Sequence, residues 1–362
     1  MGTIYDAVIV GAGPAGCSAA YGIARHLDLK TLIIERQRFP RRKVCGGILT
    51  PITATLLKEE FDLKIPSDVC DCPKHLSLSY GLMSDSASGI LQKITLPCYS
   101  LLHVRRELFD NWFLKQVLDS GVEVQWGCVW QIKPANDGWS IRIKESTRKL
   151  ISSKYLVGAD GAHSGIRKLL GIKEPLMATV RQDYYQQVAD SVEPTFLVFY
   201  NRQYLSDFYA YIVPKQDGLL LGTGTLPPNC AKHKIPLSEA IRRLRRLART
   251  VIGGPLGQPD FSESWRIPIG LVRQPKGSAA LIGDAAGHVN AHTGEGIRFA
   301  IEGGLAVSSA IRDTLECEKE FSSALSEELN ELESYLRRVA DWSRIQNDES
   351  LVRQVRSFLE KN

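Results

Sequence analysis

The stretch that decides the fold is AVIVGAGPAG, from Ala7 to Gly16, near the start of the 362-residue chain. Its first four residues are apolar and mostly β-branched, and the glycine-rich turn that follows leads into the small and apolar residues 18–24. This order predicts a strand, a tight turn and a helix. A second apolar run, Leu32-Ile33-Ile34, ends at Glu35 and completes a βαβ unit.

The glycines of this turn have the spacing Gly11-x-Gly13-x-x-Gly16, and Glu35 follows Gly16 by 19 residues. In a dinucleotide site the first glycine permits the turn, the second lets a pyrophosphate approach the backbone, and the third lets helix and strand pack closely. The helix N-terminus supplies amide donors and positive potential. Glu35 would accept the adenosine ribose hydroxyls and disfavour a 2′-phosphate. A purely structural glycine turn stays open as the alternative.

NAD and FAD share this fingerprint, and Asp284 is the residue that discriminates between them. A buried strand ends at Gly283-Asp284, and the glycine-rich segment 293–297 follows before a helix begins. This order places a carboxylate beside the nucleotide and directs a helix dipole at the flavin N1 and C2 carbonyl. Taken singly, Gly-Asp after a strand is more often a turn.

Composition and charge exclude several other classes of protein. The chain is 44% hydrophobic and 23% charged, which excludes disorder, collagen and coiled coil. Its net charge of +5 is too small to predict a nucleic-acid partner. Eight scattered cysteines lack the spacing of a disulfide framework and favour a reducing cytoplasm. Cys70 and Cys72 have no second Cys or His pair behind them, so we assign no metal.

The N-terminus has no basic and apolar segments of a signal peptide, so we expect a protein that is neither exported nor N-acylated. No apolar run is long enough to span a membrane. Residues 195–200 and 208–213 alternate and are rich in aromatic side chains, which is typical of a separate antiparallel sheet.

The predicted architecture is therefore α/β, with a Rossmann-like FAD-binding domain, an inserted antiparallel β-sheet substrate domain and a C-terminal helical tail. The FAD-binding domain is predicted to be discontinuous, over 1–66, 99–173 and 263–316. The substrate domain is predicted over 67–98 and 174–262. Residues 317–362 are predicted to form the helical segment.

Five motifs in this order carry a resemblance to a known family. They are the glycine turn with Glu35; Lys43-x-Cys45-Gly46-Gly47; Arg106-x-x-Phe109-Asp110; Gly158-Ala159-Asp160-Gly161-Ala162-His163-Ser164 with Arg167; and Gly283-Asp284-Ala285-Ala286-Gly287 with Thr293-Gly294-Glu295-Gly296-Ile297. Through about residue 310 the chain resembles flavoproteins of the p-hydroxybenzoate-hydroxylase fold. Within them it is similar to the geranylgeranyl reductase family, in particular its CbrA-like branch.

The resemblance implies FAD as the cofactor. The residues that it and the glycine turn place around FAD are Gly11, Gly13, Pro14, Ala15, Gly16, Glu35, Arg36, Lys43, Cys45, Gly46, Gly47, Arg106, Val129, Asp160, Gly161, Gly283, Asp284, Gly294, Gly296 and Ile297. For Asp160, capping of the turn and helix that lead to Arg167 is the alternative to a role in nucleotide access. Cys45 is the one candidate catalytic residue, because the family's Cys-Gly-Gly segment faces the isoalloxazine. Packing or simple flavin contact is the alternative.

An apolar substrate pocket is expected above the flavin. Its candidate residues are Phe196, Phe199, Tyr209, Tyr211 and Trp265, with Ile267 beside them. Tyr209-Ala210-Tyr211-Ile212-Val213-Pro214 resembles the family's aromatic-x-aromatic-x-x-Pro stretch, although alternating aromatics are also plain core. The chain departs from the family at Ala291-His292, where most relatives carry proline before the glycine turn, and this departure puts the substrate in doubt.

The predicted function is FAD-dependent reduction of a carbon–carbon double bond in an apolar, isoprenoid-like substrate. The alternatives are an FAD-dependent monooxygenase of hydroxylase or halogenase type and a non-catalytic flavin-binding protein. With a single dinucleotide fingerprint, NAD(P)H would bind transiently, or a reduced carrier would deliver the electrons. The arginine-rich segment 241–249 predicts a solvated helix, with contact to an anionic membrane surface as the alternative. The sequence makes no prediction of oligomeric state.

Overall fold

A computed structural model of the protein describes residues 3–83, 90–144, 149–186, 192–201, 203–227 and 230–345. The strands are β1 (Thr3–Val10), β2 (Thr31–Glu35), β3 (Ile48–Leu49), β4 (Cys70–Met83), β5 (Ile90–Val104), β6 (Glu123–Trp126), β7 (Cys128–Ala135), β8 (Gly138–Lys144), β9 (Leu150–Gly158), β10 (Met177–Gln186), β11 (Thr195–Phe199), β12 (Ala210–Lys215), β13 (Gly218–Thr225), β14 (Phe261–Pro268) and β15 (Ala279–Leu281). The helices are α1 (Pro14–His26), α2 (Pro51–Phe61), α3 (Arg106–Asp119), α4 (Gly165–Leu169), α5 (Leu237–Ile252), α6 (Ile297–Glu316), α7 (Phe321–Glu328) and α8 (Asn330–Ile345).

The first sheet contains the predicted βαβ unit. Its order is β6-β2-β1-β9-β8-β7, and β15 pairs with the end of β9. β6, β2, β1, β9 and β15 run parallel, so that Val10 lies beside Ile34 and Gly158. The carboxyl ends of these strands meet at one edge of the sheet, where parallel α/β sheets bind their ligands. The turns at Gly11 and Gly283 both follow strands that end at this edge.

Helices α1 and α6 pack closely against each other because the residues at their contact are small. A Cβ on Gly304 of α6 would lie 2.5 Å from the Cβ of Ser18 in α1. The Ser18 hydroxyl donates to the Ile301 carbonyl at 2.7 Å. Since α1 begins at the glycine turn and α6 begins at the last residue of segment 293–297, this packing fixes the two predicted cofactor segments relative to each other.

The second sheet has the order β14-β10-β13-β12-β11-β4-β5-β3. One face is covered by α5, whose buried side chains are Ala240, Ile241, Leu244, Leu247 and Ala248. The other face is directed at the first sheet and at the predicted cofactor segments. The apolar stripe of α5 supports the predicted helix packed on its own sheet.

The predicted α/β architecture and the helical C-terminal segment are confirmed, the latter as α7 and α8; residues 346–362 lie outside the described residues. The second sheet was predicted to be antiparallel. It contains one parallel pairing, because β4 enters it from an earlier part of the chain and runs parallel to β11. Residues 48–49, 99–104 and 263–268 lie in strands of this sheet, on the other side of the predicted boundaries. The division into domains stays a prediction.

None of the helices in the described parts of the chain combines the length and the apolar composition that a membrane-crossing helix requires.

Candidate cofactor and substrate site

The glycine turn after β1 is closed by its own backbone. Gly11 has φ +109°, and a Cβ on it would lie 2.3 Å from the carbonyl oxygen of Ala159. A Cβ on Gly16 would lie 1.9 Å from the carbonyl oxygen of Gly11. Neither position has room for a side chain, so these two glycines fix the path of the turn.

Gly13 is different, because open space lies in front of it. The nearest heavy atom to a Cβ on Gly13 would be a terminal nitrogen of Arg41, at 3.7 Å. Gly13 caps α1, Pro14 and Ala15 begin the helix, and no acidic side chain lies in its first turn. The first amides of α1 therefore face open space beside a guanidinium, which is the arrangement that binds a phosphate.

Glu35 is buried at the end of β2 and braces the same turn. Its two carboxylate oxygens accept hydrogen bonds from the backbone amides of Ala12 and Gln37, each at 2.8 Å. Glu35 thus holds the loop through these two hydrogen bonds, a structural role that the spacing did not predict. The same side chain lies where a ribose is expected. Arg36 is exposed just beyond it, and Val129 is half-buried in β7.

Two guanidinium groups converge on one buried carboxylate beside the turn. Arg106 donates twice to Asp110, at 3.0 Å each, and Arg41 lies 3.2 Å from the same carboxylate. Burial alone would lower the pKa of Arg106, but Asp110 more than offsets it and the pKa is raised. Arg106 was predicted, whereas Arg41 was missed. The signal was present, since Arg41 belongs to the basic run 36–43 and lies two residues before Lys43.

Lys43 is a half-buried cation between the two sheets. Its ammonium lies 4.7 Å from the ring centroid of Trp265, and among the described residues it takes part in no ion pair. Burial lowers the pKa of Lys43, Asp284 raises it, and Arg106 and Arg41 lower it. Three cations therefore face two carboxylates here, Asp110 and Asp284, and a bound anion would compensate the excess positive charge.

The segment Cys45-Gly46-Gly47 lies next to these cations. Gly47 has φ +77°, and a Cβ on it would lie 2.1 Å from the carbonyl oxygen of Val104, so only glycine fits. The Gly47 amide donates to the Cys45 sulfur at 3.4 Å. The Arg106 guanidinium is close enough to Cys45 that the thiol contributes to the raised pKa of Arg106.

Asp160 is satisfied by the helix that follows it. Its carboxylate accepts from the Ser164 hydroxyl and from the amides of Gly165 and Ile166. Burial raises the pKa of Asp160, although these hydrogen bonds lower it. The contacts support the capping interpretation. Gly161, at φ +82°, has no heavy atom within 4 Å of a Cβ position and faces open space.

Arg167 of α4 connects this cap to the turn after β15. It donates to the carbonyl oxygens of Ala162 at 2.8 Å and Ala285 at 3.0 Å. Gly283, at φ +59°, packs its backbone against Ala15 of α1, where a Cβ would lie 2.8 Å from the alanine methyl group. The glycine turn, the Asp160 turn and the Asp284 turn are thus joined into one edge of the first sheet.

Asp284 faces the start of α6. One carboxylate oxygen lies 3.4 Å from the Cβ position of Gly296, which caps α6 before Ile297. Among the hydrogen bonds of the described residues, none uses the Asp284 carboxylate. Gly294 has φ +68°, and its Cβ position lies 3.2 Å from the Tyr209 hydroxyl. The segment 293–297 therefore meets the aromatic side chains of the second sheet.

These aromatic side chains form a floor opposite the cofactor segments. Tyr209 and Tyr211 lie 5.5 Å apart between ring centroids, and Phe196 lies 5.6 Å from Tyr211. Burial raises the pKa of both tyrosines, and Cys45 contributes in both cases. Trp265 lies farther along the same face, between Lys43 and His163.

Phe199 does not join this floor. It is fully buried in the cluster under α5, with Leu197, Ile212 and Leu244. Successive strand residues point to opposite faces, so Phe196 and Phe199, three residues apart, cannot share one face. The prediction of Phe199 in the substrate pocket is wrong for this reason.

The residues fit FAD. Open space in front of Gly13 would admit a pyrophosphate, and Arg41 and Arg106 would neutralise it. Asp284, Gly294 and Gly296 lie at the other end, against the aromatic floor. A ligand that contacts both ends must extend across the edge of the first sheet, as a dinucleotide does.

Comparison with known proteins agrees with this geometry. The model of the FAD binding domain family matches residues 119–318, and that of the Thi4 family matches residues 3–50. The chain is 28% identical over 323 residues to geranylgeranyl diphosphate reductase of Synechocystis sp., covering 81% of this chain and 71% of that protein. It is 25% identical to protein CbrA of Escherichia coli over 303 residues, or 82% and 81% of the two chains.

Among solved structures, the chain is similar to a geranylgeranyl bacteriochlorophyll reductase-like protein from Thermoplasma acidophilum. The TM-score is 0.78 at 21% identity, and the match covers 98% of this chain and 91% of that one. This likeness shows that the two share a fold. The family model covers more than half of the chain, and its match includes the turns at Asp160 and Asp284. The chain therefore belongs to the FAD binding domain family and is an FAD-dependent oxidoreductase.

Proposed function

We propose that the protein reduces a carbon–carbon double bond of an apolar, isoprenoid-like substrate. The aromatic floor of Phe196, Tyr209 and Tyr211 carries the proposal, because it lies between Cys45 and Gly294, the two segments expected beside the flavin. An apolar chain would be desolvated there, where each buried methylene contributes about 0.8 kcal/mol. Relatives named geranylgeranyl diphosphate reductase support the substrate class.

Reduced FAD supplies a hydride, and the protein must supply the proton for the second carbon. Cys45 is the proposed catalytic residue, because its sulfur lies in the segment between the cation cluster and the floor. Tyr211 has its hydroxyl fixed by an amide nitrogen of Gln182 at 2.6 Å. Burial raises the pKa of Tyr209 and Tyr211, so both keep their protons at neutral pH and shape the floor.

For the electron donor we propose NAD(P)H, with a reduced carrier protein as the alternative. A cavity of about 480 Å³ lies beside Cys45. Its basic lining residues are Arg41, Arg42, Lys43, Arg105, Arg106 and Lys215, against the acidic Asp71, Glu107 and Asp217. Arg41 and Arg106 are also assigned to the pyrophosphate of FAD, which leaves Arg42, Lys43, Arg105 and Lys215 to attract a phosphate-bearing donor that binds from solvent.

The proposal is tested with FAD-loaded protein under strict anaerobiosis. Reduced enzyme should transfer its electrons to geranylgeranyl diphosphate, and Cys45→Ser should slow this step at least tenfold while FAD stays bound. Cys128→Ser is the matched control, since Cys128 is exposed at the start of β7. Turnover that requires oxygen would contradict the reductase proposal and favour the FAD-dependent monooxygenase. Reduced flavin that no substrate reoxidises would favour the non-catalytic flavin-binding protein.

We also propose where the protein acts. It is cytoplasmic and contacts the surface of an anionic membrane, in which an apolar substrate would reside. Arg242 and Arg246 of α5 are 67% and 57% exposed and face outward from the second sheet. Cosedimentation with phosphatidylglycerol vesicles should fall when both are changed to Gln. Equal binding of wild type and variant would end the membrane proposal and leave α5 as a solvated helix.

A further inference from the structure

Lys215, at the end of β12, reaches the cofactor segment from the second sheet. Its ammonium donates to the Gly46 carbonyl at 2.8 Å. It also donates to His103 Nε2 at 2.7 Å and to an Asp71 carboxylate oxygen at 3.1 Å. A lysine ammonium has three hydrogens, so each of them has an acceptor. No motif in the sequence points to these residues. In the proposed function Lys215 and Asp71 count only as lining of the donor cavity, and His103 has no role.

The three partners hold this ammonium in place. His103 is completely buried and Asp71 nearly so. Burial and the Lys215 charge lower the pKa of His103 to about 4, so at neutral pH its ring is uncharged. Because Nε2 accepts from Lys215, Nδ1 carries the hydrogen and donates to the Pro73 carbonyl at 3.1 Å. The other Asp71 oxygen accepts from the Gln216 amide at 3.0 Å.

The Gly46 carbonyl decides how the next amide points. The peptide bond between Gly46 and Gly47 is planar and trans, so its oxygen and hydrogen lie on opposite sides. With the oxygen held by Lys215, the Gly47 hydrogen is directed away from Lys215, and there it donates to the Cys45 sulfur. Without such an anchor, a peptide between two glycines can rotate at low cost, because neither residue has a Cβ.

We propose that Lys215 is a positioning residue: by holding the Gly46 carbonyl, it directs the Gly47 amide at the Cys45 sulfur and so sets the orientation and reactivity of this thiol. Asp71 and His103 act through Lys215. The second sheet, which forms the substrate floor, thereby controls the segment that faces the cofactor. The inference rests on the proposed function only for the use of Cys45 in turnover.

The test measures the rate at which iodoacetamide modifies Cys45 between pH 6 and 10, followed by mass spectrometry of the Cys45 peptide, with and without FAD. An amide donor stabilises a thiolate. Lys215→Met should therefore move the pH of half-maximal modification upward by at least half a unit, and Lys215→Arg should restore most of it. Lys319→Met, which removes an exposed ion pair with Glu327 in α7, is the matched control and should have no effect.

Asp71→Asn separates the effect of Lys215's position from the effect of a lost charge on Cys45. It is also the substitute test if Lys215→Met does not fold. Loss of a negative charge by itself would move the half-maximal pH of Cys45 downward. The one oxygen of asparagine is needed by the Cys72 and Gln216 amides, so Lys215 would face the amide nitrogen and lose this anchor, which should move the half-maximal pH upward, as in Lys215→Met. A downward shift in Asp71→Asn, or a Lys215→Met profile equal to that of wild type, would overturn the inference. Since no turnover is involved, this result stands apart from the fate of the reductase proposal.

Discussion

The two ends of the cofactor site are built in different ways. The glycine turn at Gly11–Gly16 is closed by main-chain atoms, because the strands that carry it belong to one parallel sheet. In the Cys45–Gly47 segment the main chain of Val104 holds only Gly47, and the Gly46 carbonyl is held by a side chain of the other sheet, Lys215. The first end is therefore fixed whenever the sheet forms. The second depends on a few polar contacts, so substitutions there should alter the position and reactivity of groups more than the fold.

The largest expected effect is that of Gly16→Ala, which tests whether the turn is closed by its backbone. The added Cβ would lie 1.9 Å from the Gly11 carbonyl oxygen, with no flexible side chain to move aside. We expect a loss of more than about 4 kcal/mol in the free energy of unfolding, measured by urea denaturation of the apoprotein.

Gly13→Ala is the matched control for this prediction, since open space lies at its Cβ position and its φ of −75° suits alanine. Its free energy of unfolding should change by less than about 1 kcal/mol. Gly13→Val should also fold but should purify without FAD, because its side chain fills the place of the pyrophosphate. Similar losses of stability in Gly16→Ala and Gly13→Ala would contradict the distinction between a closed and an open glycine.

The next largest effect is expected between the two ends, at Asp110. Asp110→Ala leaves Arg106 buried without its carboxylate and removes the partner of Arg41. Breaking a buried ion pair from one side costs about 3–5 kcal/mol, which thermal or urea unfolding of the apoprotein should show. Glu327→Ala, at an exposed ion pair with Lys319, should change stability by less than about 1 kcal/mol. A small effect of Asp110→Ala would mean that water solvates the two guanidinium groups.

Sequence reasoning succeeds at the first end for the same physical reason that the end is rigid. The strand, the turn and the helix are local, so the spacing of Gly11, Gly13 and Gly16 is sufficient to predict them. At the second end, Asp71 and His103 are 32 residues apart and Lys215 is 112 residues beyond His103, and only sheet pairing brings them together. Strand alternation separates Phe196 from Phe199, but the apolar residues do not reveal which of the two faces a helix covers, so Phe199 was misplaced.

Acid should lower the free energy of unfolding through His103, which lies at the second end. Its pKa is about 4 in the folded protein and about 6.5 in an unfolded chain. Between these values the unfolded chain binds a proton that the folded protein refuses, so stability is complete above pH 6.5 and falls toward pH 4. The loss is up to about 3 kcal/mol. His103→Gln keeps an acceptor for Lys215 and does not titrate, so its unfolding free energy should depend less on pH over this range. Parallel pH profiles would show that His103 does not cause the loss.

The smallest expected effect concerns the Asp160 turn, where a side chain supports the backbone-built end. Ser164 caps α4 by accepting from the Arg167 amide at 2.9 Å, and its own hydroxyl hydrogen goes to Asp160. Loss of an ordinary cap costs about 1 kcal/mol. Ser164→Ala also removes a donor from a half-buried carboxylate, so the pKa of Asp160 should rise further and the loss should be larger at pH 8 than at pH 4. Glu320 caps α7 at the surface through the Ser323 amide, and Glu320→Ala provides the comparison. If urea denaturation gives the two variants equal losses at pH 8, Ser164 is no more than a helix cap, and the Asp160 turn is held by backbone amides alone.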